Sequence, residues 1–204
     1  MGINGTILWA AVVAAQVGMA AGRAQQDGQA EGSHLPIFVH DMAGVSDEVL
    51  STAREEMARI LLGAGVRVVW LGSANGRPTS TIILRIVPAT LDYVDKAALG
   101  LALLSGPEAV YATISYARVQ RCVARQSTST ASAGQVLGHA MAHEVGHILL
   151  GVGAHSENGL MRPTWDSRVL NDASRGILGF SRDEARRIQD AVGRRTGGGL
   201  TREK

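Results

Sequence analysis

Between His139 and His155 the chain places four of its six histidines within seventeen positions, and Glu144 directly follows the second of them. His143 and His147 are four residues apart. On a helix that spacing stacks the two side chains one turn apart, about 6 Å along the axis, so both imidazoles can converge on one ion. Zinc accepts imidazole nitrogen at about 2.0–2.1 Å, and a catalytic zinc site uses three protein ligands and leaves a fourth position for water. Glu144 points about 100° around the helix from His143, which suits it to hold and deprotonate that water rather than to bind metal. The chemistry open to these residues is metal-assisted hydrolysis.

A third ligand is required, and the stretch after His147 offers one. In "ILLGVGAHS" a turn at Gly151 or Gly153 ends the helix and can fold His155 back toward the first two histidines. Glu157 and Glu184 are carboxylate alternatives for that third position. His139 lies about 12 Å along the helix axis from His147, so one zinc cannot hold both, and it is read as cleft-lining or core. Met161 follows in "GLMRP", and Trp165 is read as packing.

"HEVGH", a glycine, "HS" and then "GLM" before a proline resemble the metzincin clan of zinc metallopeptidases, whose pattern is H-E-x-x-H-x-x-G-x-x-H followed by a methionine turn. The resemblance implies one catalytic Zn2+ held by His143, His147 and His155, with Glu144 as general base, Gly151 as the turn glycine and Met161 beneath the metal. It is closest in character to small exported bacterial members of the clan. Two spacings depart from the pattern: Gly151 sits four residues after His147 instead of three, and His155 eight residues after it instead of six.

The elements that must position these residues can be read from periodicity. "LPIFVHD" (Leu35 to Asp41) predicts a strand, and Ser46 an N-cap for a helix whose Val49, Leu50, Ala53, Met57, Ile60 and Leu61 recur at helical spacing before Gly63 and Gly65 stop it. "VRVVWL" and "TIILRIV" predict two further strands. "LALLSG" and "AVYATISYARV" are read as strands as well, with Tyr111 to Tyr116 at the edge of the sheet, and "RQSTSTASAG" as a loop. From about Gln135 to Leu150 the pattern predicts a helix whose apolar stripe, Leu137, Met141, Val145 and Ile148, lies opposite the histidines. Ser181 and Glu184 form a capping box for a last helix. The expected fold is α/β (α+β) and zincin-like: a twisted mixed sheet, an active-site helix and a small C-terminal helical subdomain.

Composition bounds the rest. The 204 residues are 46% hydrophobic, 19% charged and 4% aromatic, the profile of one globular domain. A net charge of +2 with scattered Arg and Lys, no basic run and no interleaved aromatics excludes a nucleic-acid surface. Cys122 is the single cysteine, so a metal has to rest on histidine and carboxylate. "ILWAAVVAAQVGMAA" (Ile7 to Ala21) followed by "GRA" has the order of a secretory signal, although no Lys or Arg precedes it; an uncleaved helix is the alternative. The expected organisation is a signal peptide over 1–24, a linker over 25–34, one metallopeptidase domain over 35–193 and a mobile tail over 194–204. That organisation implies a secreted or periplasmic protein with no stable membrane insertion after cleavage, acting on a peptide or protein substrate. The competing reading is a zincin-fold protein that binds zinc for an interaction and has no turnover.

Overall fold

Alternating apolar residues build the sheet. Leu35, Ile37 and Val39, Ile82, Leu84 and Ile86, and Ala112 and Ile114 recur every second position and are buried together, so their strands present one face to the core. The computed structural model describes residues 33–72, 76, 78, 80–89, 98–105, 109–125, 130–151 and 153–197. Among these, five strands and five helices follow in chain order. They are β1 (Ser33–Asp41), α1 (Asp47–Gly63), β2 (Val66–Trp70), β3 (Ile82–Val87), β4 (Gly100–Ser105), β5 (Ala109–Ser115), α2 (Tyr116–Arg125), α3 (Ala133–Leu150), α4 (Ser167–Ser174) and α5 (Arg182–Gly197). Glu31–Lys204 is one compact unit. The signal sequence expected over 1–24, nearly all of the linker and residues 198–204 lie outside the described residues.

The strand order is β2-β1-β3-β5-β4. β1 pairs in parallel with β2 and β3, and β3 in parallel with β5. β4 alone runs antiparallel, against β5, with Gly100 opposite Ile114. The architecture is therefore mixed α/β with a mostly parallel sheet, and α1, α3 and α5 pack against it.

Four expectations need correction. The edge strand is β4, not the Tyr111 to Tyr116 segment, because β5 pairs on both sides. The strand read through "AVYATISYARV" ends at Ser115, whose Oγ accepts the Arg118 N–H at 3.2 Å; Tyr116–Arg125 then forms α2. α5 continues to Gly197, four residues into the stretch expected as tail, and β1 begins two residues earlier, at Ser33. On α3 the expected apolar stripe is buried, and burial extends well beyond it. Residues on almost every side of the helix are buried, including His139 and Glu144. Small residues let neighbours come that close: a β-carbon on Gly138 would meet the Ala53 carbonyl oxygen of α1 at 2.6 Å.

The N-termini of these helices are tied down by side chains. Ser46 Oγ accepts the Val49 N–H of α1, and the expected Ser181–Glu184 capping box is present on α5. α3 has a capping box of its own: Ser132 Oγ accepts the Gln135 N–H at 3.2 Å, and Gln135 Oε1 accepts the Ser132 N–H at 2.9 Å. Replacing Ser132 by Ala should destabilise the protein by about 1 kcal/mol. Urea unfolding checks this as a lower midpoint at an unchanged slope.

Candidate metal centre

Helix α3 sets two histidines, and a loop brings the third. The helix ends at Leu150, and Gly151 and Gly153 adopt positive φ angles of 103° and 80°, conformations that side chains with a β-carbon rarely take. This turn folds the chain back so that the ligand-capable atoms of His143, His147 and His155 all lie within 4.8 Å of one another. The wider spacing after His147 therefore does not prevent His155 from joining the group. His143 is the most enclosed of the three, and His155 is exposed. Neither carboxylate alternative belongs to this group, which among the described residues holds His143, His147 and His155; the Glu184 carboxylate accepts the Ser181 N–H at 2.7 Å instead.

The orientation of the rings suits a cation. His143 Nδ1 donates to the Leu160 carbonyl at 2.8 Å, which leaves its Nε2 as the lone-pair nitrogen. That Nε2 lies 3.1 Å from Nε2 of His147. Two nitrogens bound to one tetrahedral zinc at about 2.05 Å would be separated by about 3.3 Å, so this spacing fits a shared ion. The His147 and His155 rings stand at 79° with centroids 4.7 Å apart. Three imidazoles facing one point and no thiolate are a donor set that suits zinc and other imidazole-preferring metals.

The loop that supplies the Leu160 carbonyl is itself pinned. Leu160 N–H donates to the Gly179 carbonyl at 2.9 Å, and Ser156 N–H to the Met161 carbonyl at 3.0 Å. Met161 is fully buried directly against α3, where a β-carbon on Gly146 would meet its Sδ at 2.5 Å. Trp165 packs on the core and stands edge-on to both His139 and His143, with centroids 6.4 and 6.0 Å away. His139 itself is fully buried and donates from Nδ1 to the Gln135 carbonyl at 2.8 Å, which makes it a core residue.

Burial dominates the electrostatics. It lowers the His143 pKa, with the Leu160 bond acting against it, and takes His147 down to about 4, helped by the neighbouring His143 and His155. Both rings are thus neutral, lone-pair donors at neutral pH. Burial also pushes Glu144, 5% exposed, up to about 8. No protein-family model matches the chain, and no curated protein matches it.

Sequence reasoning missed the Leu160 carbonyl and the glycines that α3 packs through. A backbone carbonyl has no residue signature; the glycines at 138 and 146 were visible on the helix, but the neighbours they admit are distant in the chain.

These shifts set a pH trend for the metal-free protein. The folded pKa of Glu144 stands above its unfolded value, so its favourable contribution is complete below about pH 4.5 and is lost as pH rises to about 8. The folded pKa of His147 stands below its unfolded value, so its contribution is complete above about pH 6.5 and is lost as pH falls to about 4. From pH 6.5 to 8 only the Glu144 trend remains. Stability should fall there by about 2 kcal/mol at about 1.4 kcal/mol per pH unit. Chemical denaturation in chelator should show this fall in the parent and its absence in Glu144→Gln.

Proposed function

We propose that the protein is a zinc-dependent peptidase of the metzincin clan that hydrolyses peptide bonds with Glu144 as general base. The observation that carries this reading is the convergence of the His143, His147 and His155 nitrogens within 4.8 Å, on the helix that also carries Glu144. The match of "HEVGH", His155 and "GLM" to the clan's pattern supports it, as does a sheet whose one antiparallel strand borders the histidine helix.

Zinc, when bound, polarises a carbonyl group and acidifies a water molecule. The chain's own part is to hold and move a proton. A cation on the neighbouring histidines favours the ionised form of Glu144, which otherwise keeps its proton because of burial. As a carboxylate, Glu144 accepts a proton from the attacking water and delivers it to the nitrogen of the leaving amine. His143 is kept in the ligating tautomer by the Leu160 carbonyl. Peptides fit as the substrate class because β4 is the sheet edge beside α3, and such an edge can pair with an extended backbone.

Residues 1–24 support export, and the working compartment in this reading is the periplasm or the extracellular medium. Among the described residues no helix is long and apolar enough to cross a membrane.

The test compares zinc content and cleavage of an unstructured protein substrate for the parent and Glu144→Ala. The expected result is about one zinc in each and a loss of at least about 100-fold in cleavage in the variant. Zinc in both with no cleavage by the parent would instead favour a zinc-holding interaction protein. Absence of zinc from the parent would overturn the ligand assignment.

A further inference from the structure

Strand β4 opens with Gly100, which is buried and faces α3 from the edge of the sheet. A β-carbon built on Gly100 would lie 2.8 Å from Cγ, 2.8 Å from Oε1 and 2.9 Å from Cδ of Glu144. All three distances are shorter than ordinary side-chain contacts. The space that any other residue at 100 would fill is thus taken by the Glu144 carboxyl group and the methylene that carries it.

The strand cannot yield this space by moving, because its start is anchored at three successive residues. The Ala98 carbonyl accepts from Arg118 Nη1 at 2.6 Å. The Leu99 carbonyl accepts the Ser115 N–H at 2.9 Å. Gly100 is then in register with Ile114 of β5. α3 is equally unable to retreat, since Gly138 and Gly146 on its other sides already touch Ala53, Met161 and Phe180. With both backbones held, a methyl group at 100 has to displace the Glu144 side chain.

We propose that Gly100 is a positioning residue for Glu144: its missing side chain reserves the place of the carboxyl group against the edge strand. Gly100 has a negative φ, so alanine meets no backbone strain there, and the three atoms that its β-carbon would meet first all belong to Glu144. The cost of the change should therefore depend on the background. In the parent, Gly100→Ala overpacks the contact and should lower the melting temperature by about 5 °C. In a Glu144→Ala background the obstruction is gone, and the same change should leave the melting temperature unchanged or raise it slightly, since alanine restricts the unfolded chain.

The experiment is this double-mutant cycle on the full chain, read as melting temperature in chelator, with zinc stoichiometry measured alongside. Rescue by Glu144→Ala supports the proposal, including the case in which Gly100→Ala folds only in that background. An equal loss in both backgrounds, or failure of both Gly100 variants to fold, overturns it, because the penalty would then belong to the strand. Zinc stoichiometry should stay at the parent value, as the atoms nearest to a β-carbon at 100 belong to Glu144 and not to the three histidines. A catalytic consequence rests on the peptidase reading: Gly100→Ala should lower kcat at least 10-fold and leave KM close to the parent value. The cycle needs no turnover, so a parent that fails to cleave peptides removes the peptidase reading without affecting the positioning result.

Discussion

Helix α3 is buried around most of its circumference while carrying three histidines and a glutamate, and the rest of the structure is arranged around the cost of that burial. Close packing is obtained where side chains are missing: at Gly138 against α1, at Gly146 against Met161 and at Gly100 against Glu144. Several of the polar groups are given specific partners. The capping box at Ser132 closes the first turn, the Gln135 carbonyl takes the His139 proton, and the Leu160 carbonyl takes that of His143. The loop that carries Leu160 also carries Met161, so the same segment that fills the space under the helix orients His143 on it.

Burial has opposite effects on the two kinds of ionisable group here, and together they describe a site lacking charge. It keeps His143 and His147 neutral and keeps a proton on Glu144. A divalent cation would take up the lone pairs and draw the carboxyl group back toward its ionised form. In the proposed account the histidines and the glutamate therefore depend on the same ion, one set for its binding and the other for its reactivity.

Much of this was legible in the chain. Ser46, the apolar period of α1 and Gly63 mark a helix because caps and periodicity are local properties. His143 and His147 were legible for the same reason, since four-residue spacing on a helix has one geometric meaning. Edge and interior strands were not distinguishable, because "LALLSG" and "YATISY" look alike until the order of the sheet is known. The start of α2 at Tyr116 was hidden by an alternation that runs across the boundary, where Ser115 turns from strand residue to cap. α4, with Asp166 as its N-cap, was passed over because eight residues carry little periodicity. The part played by Gly100 depends on a contact across 44 positions of chain, which composition and spacing do not carry.

The central claim is that His143, His147 and His155 hold one zinc ion together. X-ray absorption at the zinc edge, on the protein loaded with one equivalent, tests it most directly. The account predicts three imidazole nitrogens at about 2.0–2.1 Å and one further light-atom ligand at a similar distance. A six-coordinate oxygen shell, or a shell with one or no imidazole, would contradict it.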